Sequence, residues 1–503
     1  MMFPSGRDRA YSSKVCETVV SHPSFSQQIT FVLPTIPAYF LVGSLAVVHG
    51  LYAKYFGLSL GAIAVVLLVT RLFDAVSDPL IGYCSDRYHT RKGTRKPFVM
   101  AGGVLLIIGS YFLFSPVSNS VTATYFLVWF LAWYCAFSFF EIPQLSWGAE
   151  LVTDSHTRTR LYGLRNLGAN TGLILFYLVP LSPVFVSSAY TPDVMLWIVV
   201  IAAALMLPAL WLCGRFTPDG KGLINKPEPE KELVKHVSDN PLSSSFSDMA
   251  SLVSEVVSNK PLLIFLVTFL LSGIGSGMHF ALQFILIDMY LGLGDDFAKV
   301  SLTGLCVGSA VLLVCIKLAH YLNKKLAWAF GVTIYILGIM FFSTFQAGVV
   351  TGSDLILVTV LIYSGASVIN LIVPSLLADI IDYGAWKYKT DRTATYFSLL
   401  MFSVKTTAAV GSALALGIAG YYGFDAAATV HTPEQIHGLK LAAFLIPIPI
   451  LLLTLVAIYC IPINAYRHQI IRRRLDRKAE IAASGSATAT NTPTTEQALA
   501  FSK

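Results

Sequence analysis

Formal charge is scarce in this chain. Only 13% of its 503 residues are Asp, Glu, Lys or Arg, against 55% hydrophobic, and mean hydropathy is +0.67. That balance excludes an ordinary soluble domain and suits a polytopic helical membrane protein. Cysteine is sparse as well. Cys16, Cys84, Cys135, Cys213, Cys306, Cys315 and Cys460 are scattered, with no Cys-x-x-Cys pair, so neither a disulfide framework nor a thiolate metal site is expected. No His-Glu-x-x-His and no phosphate-binding loop is present, and an enzyme is not expected. A secretory leader is missing too: Arg7, Arg9 and Lys14 run into polar sequence, not a short apolar core with a cleavage site.

What the chain has instead is long apolar runs. A bilayer crossing needs about 20 such residues. Twelve runs qualify, at 29–51, 59–83, 98–116, 122–147, 162–186, 194–213, 261–286, 299–320, 326–347, 354–378, 395–420 and 439–462. The net charge of +7 is explained by place, not by nucleic-acid binding. Alternate short loops collect Arg87, Arg91, Lys92, Arg95 and Lys96, then Arg158 and Arg160, Lys324 and Lys325, and Lys387, Lys389 and Arg392. The opposite loops hold Lys54 with Asp193, Asp295, Asp296, Asp425 and Glu434. Positive loops face the cytoplasm, so both termini are expected inside, in the plasma membrane (the inner membrane, in a bacterium).

A polar connector at 214–260 divides the runs six and six. The expected organisation is a cytoplasmic segment 1–28, a six-helix bundle 29–213, the connector, a second bundle 261–463, and a tail 464–503 that is basic and then Ser/Thr/Ala-rich. The fold class is all-α: twelve transmembrane helices in two pseudo-symmetric six-helix bundles. A weak repeat supports the pairing. Ile142-Pro143 with Glu150 ends the fourth run, and Val373-Pro374 with Asp379 and Asp382 ends the tenth. Each is followed by a basic loop and a run with an embedded cation, Arg165 in the fifth and Lys405 in the eleventh.

The most telling segment is Arg71-Leu72-Phe73-Asp74-Ala75-Val76-Ser77-Asp78-Pro79, three charges inside an apolar helix. Charge at bilayer depth is costly and marks a bundle interior or a water-filled path. Arg71, Asp74 and Asp78 share one helical face. Two carboxylates one turn apart can form half of a site for Na⁺, or share a proton. A purely structural knot of ion pairs is the competing reading.

Several blocks together resemble the glycoside–pentoside–hexuronide:cation symporter family of the major facilitator superfamily, whose type member is the melibiose permease. They are Asp74-Ala75-Val76-Ser77-Asp78-Pro79, Gly82-Tyr83-Cys84-Ser85-Asp86-Arg87 with Arg91-Lys92-Gly93-Thr94-Arg95-Lys96-Pro97, Glu141-Ile142-Pro143, Arg158-Thr159-Arg160 with Arg165, Ala378-Asp379-Ile380-Ile381-Asp382-Tyr383-Gly384, and Lys405. The resemblance covers about 29–462 and implies the major facilitator fold. It implies a cation site from Asp74, Asp78 and Glu141 with the hydroxyls of Ser77 and Ser138, and a substrate site using Arg165 and Lys405. The coupling ion would be Na⁺ or H⁺, with no other cofactor. The sequence departs from the family pattern at Ala38, where the first helix carries a sugar-binding acid, and at Leu145, where the fourth carries a stacking tryptophan; Pro34 and Pro37 reshape the first helix.

The inferred interior sets Asp74, Asp78 and Glu141 against Arg71, Arg165 and Lys405. A bound cation would unbalance it by one charge and favour an anionic or strongly hydrogen-bonding substrate, a reciprocal coupling. With the sugar anchors gone, an acidic solute is expected to outcompete neutral disaccharides. Tyr134 with Phe137, Asn170 with Asn370, His279 with Gln283, and Glu141 are further candidate substrate contacts, with packing or interhelical hydrogen bonding as the competing reading, and His49 is read as interfacial. Gly168 and Gly172 form a small-residue packing face. Arg71, Asp86, Arg87, Glu150, Arg158, Asp379, Asp382 and Arg392 are read as gating or structural, the acids pairing with Arg87, Arg158 or Arg392. The expected function is a monomeric, cation-coupled symporter of a sugar or related polar or anionic solute, working by alternating access in the bilayer. An amphipathic-lipid (lysophospholipid) symporter is the alternative, and a non-transporting membrane sensor is a third reading.

Overall fold

Helix is the only backbone form that satisfies its own hydrogen bonds within a single apolar run, and these runs fold accordingly. The computed structural model describes residues 23–116, 121–152, 155–219, 259–318, 323–388, 393–428 and 430–462. Among them ten helical stretches are long and apolar enough to cross a membrane. We label the twelve helical stretches in chain order. The first half comprises α1 (Phe25–Phe56), α2 (Leu60–Lys92), α3 (Lys96–Phe114), α4 (Ala123–Leu151), α5 (Ser155–Leu178) and α6 (Pro192–Phe216). The second comprises α7 (Lys260–Tyr290), α8 (Gly294–Leu318), α9 (Lys324–Ser343), α10 (Gly352–Tyr388), α11 (Thr393–Tyr421) and α12 (Pro433–Cys460). The ten exclude α5 and α8, which are of crossing length at 24 and 25 residues. Most of the expected N-terminal segment, connector and tail lies outside the described residues.

Local chemistry explains the breaks. Pro34 and Pro37 cannot donate to a preceding turn, and α1 divides into Phe25–Val32, Thr35–Gly43 and Leu45–Phe56. Ser59, Thr122 and Thr191 cap α2, α4 and α6 by accepting from backbone N–H groups. The stretch Gly57-Leu58-Ser59-Leu60-Gly61 has the spacing of a nucleophile elbow. Here it is a helix start, with Ser59 Oγ engaged by Ala62 N at 3.3 Å. Gly93 takes φ +73° at the end of α2, a left-handed turn that suits glycine and folds the chain back toward Arg95 and α3.

The packing repeats with a shift of six helices. In the first half α3 packs on α4, α1 on α5, α2 on α4, and α6 on α3 and α1. In the second half α9 packs on α10, α7 on α11, α8 on α10, and α12 on α9 and α7. The halves meet through α2 with α11, α5 with α8 and α1 with α7, each the counterpart of another or of itself under that shift. Small residues permit the closest approaches. A methyl group at Gly172 would meet the Ile36 carbonyl oxygen at 2.3 Å, so the Gly168–Gly172 face does lie against α1.

One end of the assembly bears the basic turn 91–96, the other Lys54 with Asp193, Asp288, Asp295 and Glu434. The ties between halves gather at this second, acidic end. Lys54 Nζ pairs with Asp288 Oδ2 at 2.7 Å, Ser187 donates to Asp295, and Tyr190 stacks edge-on against Phe284 and Phe297. A methyl at Gly420 would meet the Gly61 nitrogen at 2.7 Å, so α11 touches α2 backbone to backbone there. Asp288 sits in a π-helical turn, Leu286–Tyr290, whose extra residue breaks the regular run of α7 beside α1. These contacts hold the halves together at the acidic end.

Candidate functional site

The charged face of α2 follows from its period. Val65, Leu72, Val76 and Tyr83 recur at helical spacing and are exposed, Leu72 by 73%, which makes this the lipid face. Thr70, Asp74, Ser77 and Ile81 occupy the opposite, buried face. The embedded charges are satisfied as three separate ion pairs. Arg71 Nη1 lies 3.0 Å from Asp74 Oδ2, donates from Nη2 to the Tyr134 hydroxyl at 2.9 Å, and sits 4.5 Å from that ring's centroid. Lys405 on α11 pairs with Asp78 Oδ2, crossing between the halves. Arg165 on α5 pairs with Glu141 Oε2 on α4.

These pairs leave oxygens over. Asp74 Oδ1, Ser77 Oγ and Asp78 Oδ1 are buried and have no hydrogen-bond partner. All three are oxygens within two turns of one helix, the atom type a hard cation takes, and two of them belong to carboxylates that line a cavity. Leaving each buried and unmet costs about 1–3 kcal/mol, so a ligand here is favoured by the molecule's own deficit. That cavity, of about 600 Å³, is lined by Arg71, Asp74 and Asp78, by Ile142 of α4, and by Phe402 and Lys405 of α11.

Glu141 stands apart from that cavity. Its Oε1 accepts from the Tyr39 hydroxyl at 3.2 Å. Arg165 also donates from Nε to Gln144 Oε1 at 3.3 Å, and Gln144 Nε2 reaches Thr35 Oγ1 at 3.1 Å and the Phe31 carbonyl at 3.2 Å. Glu141 and Arg165 thus belong to a knot of α1, α4 and α5, with Ser138 buried one turn away. The single three-carboxylate cluster expected from the sequence is divided in this structure. Neither Arg165 nor Lys405 stands as a free positive charge for an acidic solute, because each already holds a carboxylate.

Other expectations change. Tyr134 serves Arg71. His279 is fully buried among Phe280, Tyr335, Phe342 and Phe444, with Nδ1 3.4 Å from the Ala443 carbonyl in a π-helical turn of α12. It packs the second half and lines neither cavity described. Asn170 is half-buried and lines neither cavity. His49 is not interfacial: α1 continues to Phe56, and the imidazole lines a second cavity between the halves.

At the basic end, among the described residues, Glu150 pairs with Arg95 and lies 3.6 Å from His89 Nε2, and not with Arg87. Arg95 is the hub: it meets Glu150 Oε1 at 2.8 Å and Asp86 Oδ1 at 2.7 Å, and donates to Ser85 Oγ at 2.9 Å. The turn at Gly93 brings it there, while Arg87 donates to the Tyr83 hydroxyl at 3.4 Å. The second half repeats the motif, with Lys324 at the start of α9 meeting Asp379 of α10 at 2.6 Å. Asp382 is half-buried near the end of α10. The side chain of Arg158 and all of Arg392 lie outside the described residues.

Two repeated six-helix halves, tied at one end around buried ion pairs and cavities, define a multi-pass membrane transporter of the major facilitator fold. Comparison with known proteins places it further. Residues 29–465 match the family model for MFS/sugar transport proteins, and the chain belongs to that family. It is a member of the glycoside–pentoside–hexuronide:cation symporters, as its sequence blocks suggested. It is 26% identical over 392 residues to the symporter YjmB of Bacillus subtilis, covering 76% of this chain and 80% of that one. It is 24% identical over 449 residues to a glucuronide carrier protein homolog of Escherichia coli, covering 86% and 90%. The solved nucleoside transporter NupG shares the fold with a TM-score of 0.60 at 13% identity, covering 86% of this chain and 98% of that one.

Proposed function

We propose that this protein is a cation-coupled symporter that moves a sugar or a related small polar or anionic solute by alternating access, with Na⁺ or H⁺ as the coupling ion. The observation that carries the reading is the unmet oxygen set Asp74 Oδ1, Ser77 Oγ and Asp78 Oδ1, buried beside the one ion pair of the site that joins the halves, Asp78–Lys405. A cation entering this set competes with Lys405 for Asp78. Releasing Lys405 loosens the tie between α2 and α11, so ion occupancy alters the energy of rocking one half against the other. Relatives named as a symporter and a glucuronide carrier agree with this assignment. The basic loops support an orientation with both termini inside and the acidic end, where the halves are tied, facing out, as expected of an inward-facing member of the cycle. The sensor reading would require loss of the acidic residues, which are present.

The test is uptake into vesicles of radiolabelled sugars, uronides and lysolipids under imposed Na⁺ or H⁺ gradients. Accumulation of a sugar or uronide driven by one gradient is expected. Equilibration without accumulation under both gradients would contradict symport.

A further inference from the structure

The cavity that His49 lines adjoins the charged one, with α11 in the wall of both. Its volume is about 450 Å³, within the range of small-molecule sites. Both halves build it: His49 of α1 and Tyr177 of α5 face Phe280 and Gln283 of α7 with Tyr363 and Asn370 of α10. No Asp, Glu, Lys or Arg lines it.

Its polar groups are unevenly used. Ser276 donates to the Ser272 carbonyl at 2.9 Å and Thr407 to the Ser403 carbonyl at 2.9 Å, so these hydroxyls offer only acceptor lone pairs. Gln283 differs. It is 4% exposed, and its Nε2 is buried without a hydrogen-bond partner. It approaches the Tyr363 hydroxyl at the margin of a hydrogen bond, as do Tyr177 and Ser301, without reaching good geometry. Ser301 Oγ is likewise buried and unpartnered. Asn370 is exposed to the cavity with both amide groups available. The site therefore pairs aromatic walls with amides that have hydrogen-bonding capacity to spare, and no Asp, Glu, Lys or Arg lines it.

We propose that this cavity is a subsite for the uncharged, hydroxyl-bearing ring of a glycoside. Gln283 and Asn370 take ring hydroxyls, which both donate and accept, and Tyr177, Phe280 and Tyr363 supply faces for the ring's C–H surface. An acyl chain would bury the Gln283 amide unpaired, which costs about 1–3 kcal/mol. A free carboxylate would find no Lys or Arg on the walls. The inference rests on the symporter reading and names the part of the substrate it holds. It also supplies a link to the ion. Val404 and Thr407 of α11 line this cavity while Lys405 and Thr406 line the charged one, so one helix forms a wall of both.

The test uses the full chain, purified for melting curves and reconstituted for uptake. The probes are methyl β-glucoside, methyl β-galactoside, methyl β-xyloside, methyl β-glucuronide, uridine and lysophosphatidylcholine. At least one neutral methyl glycoside should raise the melting temperature and accumulate with a cation gradient. Gln283→Leu should weaken that ligand about tenfold, the loss of one buried hydrogen bond to an amide, and Tyr363→Phe by less, with ligand-free melting unchanged. Should Gln283→Leu melt early, Gln283→Asn, which keeps the amide but shortens its reach, takes its place with the same expectation. Cation-driven sugar accumulation that survives the Gln283 and Tyr363 variants with unchanged KM would remove the subsite and leave the symporter standing. Stabilisation by the glucuronide or the lysolipid alone would also overturn the subsite, and stabilisation by uridine, an uncharged N-glycoside, would support it. No accumulation of any probe would remove the symporter reading and the subsite with it.

Discussion

The two halves of this protein share one packing scheme and load it differently. The first half carries Arg71, Asp74, Asp78, Glu141 and Arg165 at bilayer depth, and the second contributes Lys405 to that network. The second half supplies most of the neutral, aromatic cavity, with Gln283, Tyr363 and Asn370, while the first lends His49 and Tyr177. Repetition of structure has been kept and repetition of chemistry has not. At the basic end, where scaffolding is needed, the repeat survives in side chains too: Arg95–Glu150 in one half answers Lys324–Asp379 in the other. Divergence is concentrated where ligands would bind. An ion needs buried charge and a ring needs amides and aromatic faces. Separating them lets each site be satisfied without spoiling the other, with α11 between them.

The sharpest way to break this division is Asp78→Asn. The amide keeps the shape but removes the charge and leaves the Lys405 ammonium without its carboxylate. Uphill accumulation should fall by about 100-fold or more, because the cation loses a mostly buried carboxylate, a loss of about 2–5 kcal/mol, while Lys405, 48% exposed, keeps water as a partner and counterflow exchange persists. Retained uphill transport would remove Asp78 from the ion site. Arg165→Ala comes next and strands Glu141 in the α1–α4–α5 knot. Cation-driven uptake should drop about 30-fold or more on the same scale. Because Glu141 lies outside the charged cavity, the double variant Glu141→Gln/Arg165→Gln should recover part of the loss. No recovery would show that Glu141 itself holds the ion.

A smaller effect is expected at the acidic end. Lys54 is 31% exposed and Asp288 7%, so their pair is partly screened. Lys54→Ala should shift the balance toward opening at the acidic end by about 1 kcal/mol, or roughly fivefold. The readout is labelling of Ala46→Cys, in a background free of native cysteines, by an impermeant maleimide applied from the acidic side; unchanged labelling would show that the aromatic contacts hold the end alone. Least of all, Leu72→Ala on the lipid face should leave transport within about 0.5 kcal/mol of the parent, measured as KM and maximal rate. A large loss there would mean the face is not lipid-exposed.

What was legible in the sequence follows from physics that acts along one helix. Asp74 and Asp78 announce themselves because charge interrupts an apolar run, and helical period alone places Leu72 and Val76 opposite them. The six-helix shift was visible in Glu150 and Asp379. Partner choice was not legible. Arg95 reaches Glu150 because of a left-handed turn at Gly93, a three-dimensional detail that separation in sequence hides. His279 and Gln283, one turn apart, could not be told apart in sequence, yet the rotation of α7 buries His279 among rings and turns Gln283 to the cavity. His49 was read as interfacial because the first run looked shorter than the helix that formed. Tyr177 and Tyr363 gave no signal in a chain with 23 tyrosines.

The division between ion and ring can be tested most directly by calorimetric titration of purified Asp78→Asn and Gln283→Leu with the coupling cation and with the preferred methyl glycoside. Asp78→Asn should lose the cation heat and still bind the glycoside in cation-free buffer. Gln283→Leu should keep the cation heat and bind the glycoside about tenfold more weakly. If either substitution abolishes both heats in a protein that still melts cooperatively, the two ligands share one site and the account is wrong.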